Sequence, residues 1–229
     1  TPSWCGFLFI TFSDMTLKTV IHALVTGFEP FGVPRPSDNR SWEAVKQLAG
    51  QTVETKDATV VCHCHQLPVS YDDVLALVPP LHLGAEFGIV VHCGAGAPGM
   101  VRLEKRAHRT GYTRPGNKGP QDLPSGGCVP GYGTADELAT AVDVDGLCRR
   151  LGERGWRSVQ ASSDAGHYLC DFTYYISLAE SETTYPARQL PAPHTLFVHV
   201  HPQADDVYSD AQLAELLREI VRQLAQGQF

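Results

Sequence analysis

Short apolar runs recur along the chain, several of them ending in glycine, and alternate with stretches whose apolar positions repeat every three to four residues. Strand character falls on IHALVTGF (21–28), ATVVCHCHQLPV (58–69), FGIVVHCGAG (87–96), WRSVQASS (156–163) and HTLFVHV (194–200). Helical character falls on SWEAVKQLAG (41–50), closed by Gly50, and on YDDVLALVPPLHLG (71–84), where Pro79 and Pro80 are expected to break the helix. Further helices are expected over DELATAVDVDGLCRRLGERG (136–155), CDFTYYISLAE (170–180) and DAQLAELLREIVRQLAQ (210–226). The last carries Leu213, Leu216, Leu217, Ile220, Val221 and Leu224 on one face. VRLEKRAH (101–108) reads as strand or turn, and residues 110–134, crowded with Gly and Pro, as a long loop of the kind that often belongs to a site.

This alternation predicts an α/β chain: a three-layer α/β/α sandwich around a mostly parallel, mixed and twisted sheet. No repeat or linker divides it, so residues 21–229 are expected to form a single catalytic domain, preceded by an extension over residues 1–20. Within that extension WCGFLFITF (4–12) has the length of a signal-peptide core but lacks a basic flank and a small-residue cleavage site, and it is too short to span a bilayer. Met15 is a candidate start.

Composition narrows the chemistry. A net charge of −7 without a Lys/Arg run offers no footprint for nucleic acid or an anionic membrane, which favours small-molecule or peptide substrates. The seven cysteines are scattered without a CxxC pair, so neither a disulfide framework nor a zinc knuckle is indicated, and a reducing cytoplasm is the expected compartment. In CHCH (62–65) the period of a strand puts the two thiols on one face and the two imidazoles on the other, which argues against a shared metal. HCGAGAPG (92–99) lacks phosphate-loop spacing and reads as a pocket floor.

The segment SSDAGHYLCDFTYYISL (162–178) sets Cys170 at the start of a helix, where unpaired backbone N–H groups and the helix dipole favour a thiolate and could hold an oxyanion. A buried packing role is the other reading. His92, His199 and His201 all lie near strand ends as proton carriers, and spacing does not choose among them.

Five ordered motifs go further. VTGFEPFG (25–32) with Asn39 and Ser41-Trp42, LEKRAHRTGY (103–112), DVDGLCRRL (143–151), DAGHYLCDFTYYISL (164–178) and FVHV (197–200) resemble pyroglutamyl peptidase I, a family of cysteine omega peptidases that remove an N-terminal pyroglutamyl residue. The resemblance implies a triad of Cys170 as nucleophile, His199 as proton carrier and Glu104 as its orienting partner. It also implies that Phe28, Phe31 and Tyr168 enclose the lactam ring, that pyroglutamyl-blocked peptides are the substrates, and that a reduced thiol suffices, with no metal or organic cofactor. A catalytically weak homologue that binds blocked peptides or a protein partner is the alternative. The oligomeric state is left open, since the last helix suits packing within the domain or against a partner.

The chain departs from the family pattern at Gly32-Val33-Pro34, at Gly116 before Asn117, in a shortened HCG-to-Glu104 segment and in an insert over residues 180–194. Gly116 is expected to loosen the long loop or remove a supporting hydrogen bond, and the insert to lengthen the approach to His199.

Overall fold

The computed structural model describes residues 18–202 and 207–227. In chain order the strands are β1 (Thr19–Phe28), β2 (Thr52–Glu54), β3 (Ala58–Leu67), β4 (Phe87–Ala95), β5 (Val101–Glu104), β6 (Arg106–His108), β7 (Glu137–Ala139), β8 (Val159–Ser162) and β9 (His194–Val200). The helices are α1 (Arg40–Val45), α2 (Tyr71–Gly84), α3 (Val144–Glu153), α4 (Leu169–Ala187) and α5 (Asp210–Ala225). The apolar run at 4–12 and Met15 lie outside the described residues.

Seven strands form one sheet in the order β2-β3-β1-β4-β9-β5-β8. β1 pairs in parallel with β3 and β4, β4 with β9, and β5 with β8. β2 runs antiparallel to β3, and β5 runs antiparallel to β9. Because side chains alternate along a strand, each strand feeds two cores. Ala23, Val25, Val91, Cys93, Val198 and Val200 pack with α1, α3 and α5, while Phe28 and Phe197 face the layer built from α2 and α4. The predicted three-layer arrangement therefore stands.

Two local expectations need correction. Pro79 and Pro80 do not break α2, which runs continuously from Tyr71 to Gly84. A proline removes one ladder hydrogen bond and crowds the preceding turn. Here Val74, Val78 and His82 remain buried on the α4 side, so tertiary packing holds the helix together across them. Residues 136–155 are not one helix either: Glu137–Ala139 pairs antiparallel with β6, and α3 starts only after Asp143, whose carboxylate accepts the Gly146 N–H at 3.0 Å. The aspartate is an N-cap, which ends rather than continues the preceding segment.

The final helix follows its pattern. Leu213, Leu216, Leu217, Ile220, Val221 and Leu224 are all buried in the first core, and Ser209 and Gln212 close a reciprocal capping box at its start. In β3, Cys62 and Cys64 pack against that core, while His63 hydrogen-bonds His22 across the sheet at 2.9 Å.

Candidate active site

β8 leads into a turn shaped by Asp164, whose carboxylate accepts the Gly166 N–H at 2.9 Å, and by Gly166 itself at φ +79°. α4 follows at Leu169. Its ladder begins with the Phe172 N–H donating to the Tyr168 carbonyl at 3.0 Å, so the N–H groups of the preceding residues have no acceptor within the helix. Tyr168 supplies no side-chain cap. Cys170 sits in this first turn, half-buried, with its thiol over β4. Glycine there is a steric requirement, because a Cβ on Gly94 would fall 2.7 Å from Cys170 Sγ and 2.8 Å from the Phe197 ring.

β9 turns Phe197 and His199 toward the same side as α4. β5 lies antiparallel beside it, with Glu104 opposite Phe197 and Arg102 opposite His199. Glu104 and His199 are thus diagonal neighbours on one face, within reach of long side chains. Glu104 Oε1 accepts from His199 Nδ1 at 2.8 Å. Glu104 is fully buried and its Oε2 has no partner, so its carboxylate is committed to the imidazole. The Glu104 carbonyl is tied down by the Tyr174 hydroxyl at 2.9 Å. With Nδ1 engaged, Nε2 remains for the hydrogen bond between His199 and Cys170. Burial alone would lower the imidazole pKa, but the Cys170 charge and hydrogen bond, together with Glu104, outweigh it and hold His199 in its protonated form up to about 10.

The other two histidines are engaged elsewhere. His92 is enclosed between Thr26 Oγ1 at 2.7 Å and Ser177 Oγ at 2.6 Å, and burial pushes its pKa down to about 3. His201 Nδ1 pairs with Arg40 at 2.7 Å, and its Nε2 accepts the Tyr208 N–H at 3.0 Å. Only His199 of the three meets both Cys170 and Glu104.

Of the aromatic candidates, Phe31 and Tyr168 face each other with ring centroids 5.9 Å apart. Phe28 lies deeper, buried and 6.4 Å from the Phe197 ring, so it forms the base of this group. The β1–α1 loop, which starts after Phe28 and carries Phe31, is fixed by the residues that stood out in its motif. Ser41 Oγ accepts the Phe28 N–H at 3.0 Å, and Asn39 donates to the Glu29 carbonyl at 3.0 Å.

The long loop supplies two residues that the sequence reading did not assign. Arg114 lays its guanidinium 4.4 Å from the Tyr168 ring centre and 5.8 Å from that of Phe31, a cation–π cover over the pair. Asn117 donates to Glu29 Oε1 at 2.8 Å and to the Pro30 carbonyl at 3.0 Å, binding the long loop to the aromatic loop. Gly116 does not loosen this junction: the Asn117 N–H donates to the Val69 carbonyl at 2.7 Å, and a Cβ at 116 would fall 2.5 Å from that same oxygen. Bare backbone is what permits the close approach. A cleft of about 400 Å³ opens beside these groups between Gly32, Val33, Arg35, Arg114, Asn117 and Tyr168. A second, of about 360 Å³, lies at Gly96, Arg102, Glu104, Asp164, Gly166 and His199. Gly96 also makes room, since a Cβ there would meet His199 Cβ at 2.8 Å.

The 180–194 insert is not on the approach to His199. Its first part completes α4, and it joins β9 at His194, five residues and roughly 16 Å of strand before His199.

A family profile described as pyroglutamyl peptidase matches residues 21–213. Pyroglutamyl-peptidase 1 of Homo sapiens is 36% identical over 203 residues, covering 88% of each chain. The pyrrolidone-carboxylate peptidase of Thermococcus kodakarensis is 30% identical over 203 residues, covering 86% of this chain and 90% of its own. Among solved structures, the pyrrolidone carboxyl peptidase of Fervidobacterium islandicum superposes with a TM-score of 0.70 at 26% identity, over 90% of this chain and 97% of that one. The pyroglutamyl peptidase I of Bacillus amyloliquefaciens shares the fold at a TM-score of 0.75 and 22% identity, over 91% and 96% of the two chains. With most of its length inside the family profile, a buried Glu104–His199 pair and a cysteine at the head of α4, the chain belongs to the pyroglutamyl peptidase family.

Proposed function

We propose that the protein is a cysteine-type omega peptidase that hydrolyses the amide bond following an N-terminal pyroglutamyl residue, with Cys170 as nucleophile, His199 as proton carrier and Glu104 as its orienting partner. The observation that carries the reading is the contact of His199 with the buried Glu104 on one side and with Cys170, in the first turn of α4, on the other.

The Cys170 thiolate attacks the pyroglutamyl carbonyl carbon, forming the C–S bond while the carbonyl electrons move onto oxygen. The free N–H groups at the start of α4 stabilise that oxyanion. Protonated His199 gives its Nε2 proton to the leaving amine as the C–N bond breaks, leaving a thioester and a shortened peptide. A water molecule then loses its proton to His199 and attacks the thioester carbonyl. The C–S bond breaks, pyroglutamate leaves and the thiolate–imidazolium pair is restored. Glu104 holds the imidazole ring in the orientation each transfer needs and stabilises its charge.

Phe28, Phe31 and Tyr168 form the slot for the lactam ring, which is flat and uncharged. An ordinary N-terminus would bring an ammonium into that aromatic surrounding and leave it unpaired. The intact triad contact supports turnover over a purely binding role. Residues 21–229 act as one catalytic domain in this reading. The compartment proposed with this reading is the reducing cytoplasm, which suits six described cysteines that are all free thiols.

The test compares release of a fluorogenic amine from pyroglutamyl, prolyl and acyclic acyl amides by the reduced protein. Release from the pyroglutamyl amide alone is expected. Equal release from all three contradicts the lactam slot, and no release by folded, reduced protein contradicts the peptidase.

A further inference from the structure

A second cluster of chemistry-bearing side chains begins at the residue after Cys170 and shares no member with the Glu104–His199 pair. Asp171, the next residue of α4, is completely buried, and its carboxylate is directed at β6. His108, at the end of β6, brings Nδ1 to 3.2 and 3.3 Å from the two carboxylate oxygens. His167, in the turn before α4, brings Nδ1 to 3.9 Å from Asp171 Oδ2. The two imidazoles stand with ring centres 4.8 Å apart, and one donor atom from each of the three residues lies within 4.8 Å of the other two. Among the described residues this is the one grouping of three His, Cys, Asp or Glu side chains with such spacing.

From these distances we propose that His108, His167 and Asp171 form a binding site for a divalent transition-metal ion, zinc or cobalt in class, separate from the catalytic triad. Tetrahedral zinc with bonds of about 2.0–2.1 Å separates its donors by roughly 3.3 Å, so the observed 3.2 Å already fits, while the 3.9 Å and the separations of up to 4.8 Å within the group close by side-chain movement. Two imidazoles and one carboxylate are a donor set suited to zinc, cobalt or iron rather than to calcium or magnesium. The surroundings are those of a supported site. The Asp171 carboxylate also accepts from the Tyr112 hydroxyl at 3.0 Å and the His108 N–H at 3.1 Å, which fix its orientation. His108 Nε2 faces Glu137 Oε1 at 3.7 Å, a carboxylate placed to hold the ring once Nδ1 ligates. His167 Nδ1 donates to the Thr110 carbonyl at 3.1 Å, a hydrogen bond and a proton that the ring gives up when Nδ1 ligates, and the side chain is half exposed, so an ion enters from solvent on its side. A bound ion would tie β6 to the turn that carries Tyr168 and Cys170. The peptidase reaction itself does not require it.

The catalytic thiol would also take up such an ion, so the test uses a Cys170→Ala protein and the metal alone. Cobalt(II) chloride is titrated while visible absorption is followed, and thermal midpoints are read with and without zinc chloride. The site predicts one ion per chain, d–d bands of an N/O donor set and a raised midpoint. His167→Ala in the same background removes an exposed ligand without opening the core, and should weaken binding by about 10-fold or more and abolish the midpoint shift. Absence of cobalt bands at millimolar metal, or binding unchanged by His167→Ala, overturns the proposal.

Discussion

Glu104 and His199 are 95 positions apart in the chain, yet Oε1 and Nδ1 meet at 2.8 Å because β5 is laid antiparallel against β9. The pair is diagonal across the two strands, and the glutamate carboxylate is sealed from solvent with its second oxygen unpartnered. Glu104→Gln keeps the shape and removes the charge. It is expected to preserve the fold and lower kcat by about 10²-fold or more with little change in KM, by analogy with loss of the orienting carboxylate in hydrolytic triads. Steady-state kinetics on a pyroglutamyl amide decides this, and an unchanged kcat removes Glu104 from the mechanism.

The protonation of His199 sets an alkaline limit. Its pKa is raised from 6.5 to about 10, chiefly through the Cys170 charge and hydrogen bond acting against burial, so the proton proposed to pass to the leaving amine is present at neutral pH and lost as pH rises through about 10. Activity of the free enzyme should decline over that range. The sign for stability is the same: the contribution is fully present below 6.5 and is lost as pH rises through the folded value. In Glu104→Gln the alkaline decline should move to lower pH, which a pH profile of kcat/KM reads directly.

His82 and His92 act in the opposite direction. Both sit in a buried chain through Ser177 Oγ, at 3.0 and 2.6 Å, and burial lowers their pKa values to about 4 and about 3. They stay neutral in the fold while the unfolded chain takes up protons from pH 6.5 downward, so stability is lost as pH falls through that window. Each group costs up to about 1.4 kcal/mol per pH unit. Thermal midpoints should drop steadily from pH 7 to pH 4, and His92→Gln should show a lower midpoint at pH 7 with a shallower pH slope. A slope unchanged by the substitution contradicts the assignment.

Gly94 tests how closely the thiol is positioned. A Cβ there would stand 2.7 Å from Cys170 Sγ, so Gly94→Ala must displace either the thiol or Phe197. A displacement near 1 Å at a reacting atom is worth about 10²-fold in rate. The variant is expected to fold and to lose activity on that scale, as measured by kcat and by circular dichroism on the same sample.

Arg114 tests the slot. Its guanidinium covers Tyr168 and Phe31, and exposed cation–π contacts contribute about 0.5–1 kcal/mol. Arg114→Ala is expected to raise KM for pyroglutamyl amides by roughly 2- to 5-fold and leave kcat nearly unchanged. A fall in kcat with constant KM would point instead to a role at the reacting bond.

Much of this architecture was legible in the sequence because its signals are local. The apolar runs of β1, β4 and β9 are continuous since both faces of those strands are covered, and Gly166 after β8 marks a turn into a helix whose first residues include the cysteine. What was not legible is non-local. Spacing alone left His92, His199 and His201 open and only the FVHV motif pointed to His199, because the physical choice depends on sheet order and on which partner encloses each ring. The continuity of α2 through Pro79 and Pro80 depends on its packing against α4. Asn117 meets Glu29 across 88 positions, and Gly116 has meaning only beside the Val69 carbonyl. The insert at 180–194 read as close to the site because His199 follows it in sequence, whereas the length of β9 sets it apart.

The proposed reaction depends above all on the Cys170 thiol. The most direct measurement sets wild-type and Cys170→Ala side by side, with matched circular dichroism and thermal midpoints, and follows amine release from a pyroglutamyl amide. The variant is expected to fold and to release amine more slowly by several orders of magnitude, as for loss of a nucleophile. Release by the variant at a rate comparable with wild type would contradict the proposed reaction.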